Sequence, residues 1–268
     1  MSLTTWLGLG WVPALTGIFL AFGVVVAYII AVLRGDVTPY MPFISEAGTD
    51  PPQSGIFSIC LFCSGNLGLI TMVVRYMYVN ELNKGRHKKI QVINQISLFC
   101  GFTAIGGMMV VAVYPMSTVS LAHDVGAYTL FILGLTYASL QTLVTYYLYP
   151  SYNGLTICRF RLTIVLLCLI SLVTMAIIYP VSHAEFKSGN YNHPRRLKQL
   201  GERGFRGLVA SSTAEWTLAL IFITFFFTYI REFQAILFQV KICPLGYHID
   251  EVAIKQANER QPLLNEQV

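Results

Sequence analysis

Residues 11–33 read WVPALTGIFLAFGVVVAYIIAVL, and none of them carries a charge. A helix of about 20 apolar residues crosses the hydrocarbon core of a bilayer, so this stretch predicts a membrane-spanning helix, stopped by Arg34-Gly35-Asp36. No charge precedes it, so the basic leader of a cleavable signal is missing, and the apolar run is too long for that signal's core. The first span is therefore expected to act as its own uncleaved insertion signal.

Five further stretches read the same way, at 56–79, 92–114, 121–148, 162–181 and 208–230. Of 268 residues, 55% are hydrophobic and 12% charged, where a soluble domain carries roughly 25% charged. Lipid offers no partner to unpaired backbone groups, and no strand-like alternation suggests a barrel, so each span must be helical. The expected fold is all-α, a six-helix transmembrane bundle over residues 1–231 followed by a tail over 232–268. Small residues at helix-packing spacing (Ala122 with Gly126, Gly134 with Ala138, and the pair Gly106-Gly107) predict close helix approaches.

Net charge is +5. In a membrane protein such an excess records topology, because Lys and Arg collect in cytosolic loops; no basic soluble face suggests nucleic-acid binding. Six spans put both termini on one side. That side holds ten Lys and Arg, four of them in the short connector 84–89, against seven opposite, six of those in one long loop. Short connectors weigh most in this rule, so cytosolic termini are expected, and the loop at 39–55 is then luminal or extracellular.

That loop reads PYMPFISEAGTDPPQSG. Its four prolines exclude a helix interior or a central strand, while Tyr40, Met41, Phe43 and Ile44 are too apolar for a floppy linker. It is expected to be an ordered cap lying on the membrane face.

Ionisable residues at membrane depth are functional candidates by default. Glu215 lies about two turns inside the sixth span, next to Trp216, and a lone carboxylate there needs a partner, a proton or a wet cavity. His123 and Asp124 open the fourth span on the same side, either as a simple interfacial helix start or as part of a site. The candidate is a polar pocket formed by Glu215, His123, Asp124 and the underside of the 39–55 loop, sensitive to an acidic lumen through the histidine. Arg75, near the cytosolic end of the second span, is expected to snorkel to the headgroups.

No nucleophile elbow, zinc-protease helix or phosphate-binding loop is present, so neither catalytic residues nor a cofactor are expected. Cys60 and Cys63 form a CxxC inside an apolar run, which favours packing thiols. His183, Glu185 and His193 are irregularly spaced in a basic loop, which favours a solvated loop over a metal site.

Past the last span, Phe233, Ile236, Leu237 and Val240 make an apolar stripe at helical spacing. Cys158 and Cys243 are juxtamembrane candidates for palmitoylation. Glu259, four residues before Leu263-Leu264, matches the acidic dileucine pattern read by clathrin-adaptor-type sorting machinery.

Several of these segments together resemble the DRAM family, the damage-regulated autophagy modulators. They are PFISEAGTDPP after the first span, VRY around Arg75, AHDVGA around His123, AEW followed by TYIREFQ around Glu215 and Arg231, and the terminal ERQPLL. The resemblance implies a six-span protein of lysosomal or late-endosomal membranes that promotes autophagy and, in some settings, cell death. Membrane lipids, sorting adaptors and unidentified autophagy factors would be its partners. It implies no molecular activity, so two mechanisms stay open: a regulator that recruits partners through its cytosolic segments, and a binder or transporter of a lipid or small solute.

Overall fold

Gly35 adopts a left-handed conformation (φ 74°) and its N–H turns back to the carbonyls of Ala31 and Val32. That conformation is cheap only for glycine, and it closes the first helix where the apolar run ends. The computed structural model describes residues 8–236, and within them all regular structure is helical. The helices are α1 (Trp11–Arg34), α2 (Ile44–Ala47), α3 (Gln53–Asn83), α4 (Lys88–Val113), α5 (Ser120–Tyr147), α6 (Leu155–Ser188), α7 (Phe205–Phe227) and α8 (Ile230–Gln234), with one 3-10 turn at Arg195–Leu197. Six of these segments, counting Phe205–Gln234 as one, are long and apolar enough to cross a membrane.

The helices outrun the apolar windows because their ends carry polar and charged residues, which close an apolar stretch without ending a helix. The fifth begins at Leu155 and continues through Pro180 to Ser188, so Arg159, Arg161, His183 and Glu185 are helical residues. Each long helix packs on the next in sequence, and α7 returns to α1, closing a ring. The buried core includes Phe57, Leu61, Met72, Met108, Leu218 and Phe225. α6 leans against α7 from outside, with Leu166, Ile170 and Ile177 exposed on its outer face, as lipid contact requires.

α4 and α5 meet at two glycines. A Cβ on Gly107 would lie 2.5 Å from the Gly126 carbonyl oxygen, and one on Gly126 would lie 2.9 Å from the Gly107 oxygen. The small-residue reading thus holds for this pair. Gly106 faces open space, and Gly134 packs against Phe222 of α7.

Candidate functional site

α2 is a single turn inside the 39–55 loop, and a helix that short cannot satisfy its own first N–H groups. The Phe43 N–H donates to Glu46 Oε2 at 3.0 Å, and the Ile44 N–H donates to Glu215 Oε2 at 2.8 Å. Two more side chains of α7 reach the same segment: Trp216 Nε1 donates to the Pro42 carbonyl at 2.9 Å, and Ser212 Oγ to the Met41 carbonyl at 2.5 Å. Ser212, Glu215 and Trp216 stand at i, i+3 and i+4, one face of the helix. Met41 has φ 46°, an uncommon angle for a side-chain-bearing residue, and its carbonyl also accepts from Lys198 Nζ at 3.2 Å.

The 189–204 segment folds over the outside of this loop. Arg195 Nε donates to Glu46 Oε1 at 2.6 Å, Arg195 Nη1 to the Tyr179 hydroxyl, and Arg196 pairs with Asp50. The Arg195 guanidinium also lies 4.8 Å from the centre of the Phe43 ring. Lys198 is fully buried, and that burial holds its ammonium below the usual lysine range. The reading of this segment as a solvated loop is therefore corrected: Arg195 and Arg196 are matched to Glu46 and Asp50, Lys198 is buried against the Met41 carbonyl, and His193 Nε2 lies 2.7 Å from Glu202. Among the described residues, no three His, Cys, Asp or Glu side chains converge as metal ligands would.

Beneath the cap lies a cavity of about 110 Å³, roofed by Ile44 and Ser45 and walled by α1, α3, α4, α5 and α7. Glu215 and His123 both reach it. His123 is buried, with Nδ1 2.8 Å from the Tyr114 carbonyl oxygen. The structure thus brings Glu215, His123 and the underside of the loop to one place. Asp124 is absent from this cavity and meets Glu215 only in a neighbouring cleft. Consecutive helix residues point about 100° apart, and Asp124 lines two clefts on the α6 side instead. Glu215 reaches the inner of those clefts as well, so its carboxyl forms part of the wall between cavity and cleft.

At the opposite end of the bundle the snorkelling reading of Arg75 fails. Arg75 is fully buried, donating from Nε to Gln141 Oε1 at 3.1 Å and from Nη1 to Glu232. Arg161, which reads from sequence as a connector cation, is equally buried and donates to Glu232 Oε1 at 2.8 Å and to Thr145 Oγ1 at 2.7 Å. The Tyr229 ring is 4.6 Å from one guanidinium and 5.2 Å from the other. Gln141 in turn donates to Asn94 and Ser97. The available signal was the set of polar residues placed inside otherwise apolar spans: Asn94, Ser97, Gln141 and Thr145.

Glu232 and Phe233 accordingly belong to the packed bundle although they read as the start of a tail; Phe233 is fully buried and Ile236 packs on the same core. The rest of the apolar stripe, Leu237 and Val240, lies outside the described residues, as do Cys243 and the Glu259, Leu263, Leu264 motif. Cys158 is corrected as an acylation candidate: it is fully buried, with Sγ 3.7 Å from the Thr145 carbonyl. Cys60 is a buried free thiol and Cys63 a half-buried one.

The profile described as Frag1/DRAM/Sfk1/Cwh43P N-terminal domain matches residues 8–236. The chain is 32% identical over 236 residues to the human DNA damage-regulated autophagy modulator protein 1, covering 87% of this chain and 94% of that one. It is 30% identical over 263 residues to the mouse DNA damage-regulated autophagy modulator protein 2, covering 96% of each. A Xenopus tropicalis protein, Modulator of macroautophagy TMEM150B, is 31% identical over 62% of this chain and 70% of its own length. No solved structure matches.

Proposed function

Because the chain belongs to the Frag1/DRAM/Sfk1/Cwh43P family, we propose that it modulates autophagy as a non-enzymatic six-span protein of lysosomal or late-endosomal membranes. The observation that carries this reading is the near-full-length match to proteins named as autophagy modulators. Those names, modulators rather than enzymes, support a regulatory role, and a contribution to cell death is the finer expectation.

The four cations at 84–89 support cytosolic termini, and hence a luminal cap. The Glu259, Leu263, Leu264 motif supports delivery by clathrin-adaptor-type machinery. Autophagic flux and the location of the chain, in cells that lack it and are complemented with wild type or with L263A/L264A, test the autophagy role and the sorting motif. Wild type is expected at lysosomes and restores flux; the double variant is expected at the plasma membrane. Lysosomal delivery of L263A/L264A would remove the sorting assignment, and unchanged flux on deletion would remove the autophagy role.

A second reading is favoured by one observation, the reach of Glu215 into both a cavity and a cleft. The end of the bundle beneath the cap then binds a lipid or small solute, with Glu215 as its polar anchor.

A further inference from the structure

The two clefts on the α6 side form one amphipathic groove. The inner cleft, about 170 Å³, lies between α5 and α6 and is lined by Tyr128, Phe131, Met175, Ala176 and Pro180, with Glu215 at its back. Tyr128, Ala176 and Pro180 are exposed on the lipid-facing side, so the inner cleft opens sideways into the bilayer. The outer cleft, about 570 Å³, includes Ser120, His183, Lys187 and Arg196. Met116, Asp124, Tyr179 and Arg195 line both, which makes the two continuous from hydrocarbon depth to the aqueous face.

The charges along this groove have an order. At the junction Arg195 is matched to Glu46, whereas Asp124 is exposed and has no ion-pair partner among the described residues. Deeper in, Pro180 has no N–H to give the Ala176 carbonyl one turn back, and both residues line the inner cleft. A carboxylate with no ion-pair partner among the described residues and a carbonyl without its usual i+4 donor thus adjoin the apolar end, and both can accept from a bound donor. Further out the unmatched charge is positive: Lys187 is exposed and in no ion pair among the described residues. Beside it, the His183 ring stacks on Tyr179 at 5.4 Å with its Nδ1 buried and unpartnered.

From this order we propose that the groove binds an amphiphile whose ammonium adjoins its chain and whose phosphate lies beyond it, a phosphorylated long-chain amine. The ammonium sits against Asp124 and the Ala176 carbonyl, the phosphate toward Lys187 and His183, and the upper part of the chain between Tyr128 and Met175. The rest of the chain stays in the bilayer. This rests on the ligand-handling reading of this end of the bundle and adds the chemical class and the polarity.

The test uses the full chain in nanodiscs of uncharged lipid and measures saturable retention of three probes. Sphingosine 1-phosphate carries both charges, lysophosphatidic acid only the phosphate, and sphingosine only the amine. Sphingosine 1-phosphate is expected to bind at least tenfold more tightly than either of the others. D124N is expected to lower it to the level of lysophosphatidic acid without changing that probe, and K187A to lower it to the level of sphingosine. A176W is expected to displace all three, with its elution profile and melting compared with wild type to separate blockage from misfolding. Both surface charges are exposed, so D124N and K187A keep the proposal testable if A176W does not fold. Equal binding of lysophosphatidic acid, or full retention by D124N, would overturn the polarity. Loss in E215Q with none in D124N would place the ligand in the cavity, sinking the groove while keeping the ligand-handling reading. No saturable retention of any probe would sink the groove proposal, and the ligand-handling reading would fall separately if no lipid or metabolite co-purified with wild type in preference to E215L.

Discussion

Glu215 accepts the backbone N–H of Ile44 at 2.8 Å, across 171 residues of sequence. The carboxyl therefore caps α2 and fastens the 39–55 loop to the bundle. Glutamine keeps an oxygen that can accept this bond, whereas leucine leaves a part-buried N–H without that partner, a cost of up to about 1–3 kcal/mol. E215L is expected to lower the melting temperature of the purified protein and to expose a cysteine placed at Ser45 to a membrane-impermeant thiol reagent. E215Q is expected to behave as wild type in both measurements. Equal behaviour of E215L and wild type would show that the loop is held without this bond.

The cluster at the other end predicts a sharper effect. Arg75 and Arg161 share the Glu232 carboxylate, and breaking such a buried pair by removing one partner costs about 3–5 kcal/mol. E232A strands two buried guanidinium groups and is expected to be poorly folded, read as loss of a monodisperse peak in size-exclusion chromatography. R161K should also be costly, because one ammonium cannot reach Thr145, Thr228 and Glu232 together as the guanidinium fork does. A melting temperature for R161K within error of wild type would mean that the fork geometry is dispensable.

Glycine predicts a contrast between neighbours. Gly107 sits where a Cβ would meet the Gly126 carbonyl of the facing helix at 2.5 Å, while Gly106 meets nothing within 4 Å. G107A must push α4 and α5 apart, at about 1–3 kcal/mol, and G106A should be silent. Thermal melting of the two variants in one detergent checks this, and equal loss in both would remove the close-approach argument.

What was legible from sequence divides along the same lines. The spans were readable because the thickness of the hydrocarbon core imposes their length. Gly107 and Gly126 were readable as small-residue packing positions, but not as each other's partners, because the spacing within one helix does not say which helix it faces. Glu215 stood out because an isolated carboxylate at membrane depth has few bland explanations. The burial of Arg195 was not readable, since its partner Glu46 is 149 residues away and a cation in a polar loop looks solvated until that partner is known. Arg161 and Glu232 were hidden for a related reason. Each closes or opens an apolar window, the place where a charged residue ordinarily reaches water. The separation of His123 from Asp124 follows from helix geometry, but only once the neighbours of α5 are fixed.

Acid should act on the hinge between α1 and α3 through Asp36. Its carboxylate accepts from Gln53 Nε2 at 2.8 Å and from Arg34 Nε at 3.1 Å; the bond from Gln53, with Arg34 adding to it, holds the group below the usual carboxylate range. A carboxyl depressed in the folded state contributes stability at pH values above its unfolded value, and that contribution disappears as pH falls through the lower, folded value. Asp36 therefore steepens the loss of stability at the acid end of the range, below about pH 4, while its contribution is fully present and constant near neutral pH. D36N removes the titration while keeping an oxygen for the buried Gln53 amide. Its melting temperature is expected to fall below that of wild type at neutral pH, with the two curves converging as wild type protonates. A difference that stays constant from neutral pH down to pH 3 would show that the carboxylate contributes nothing through its charge.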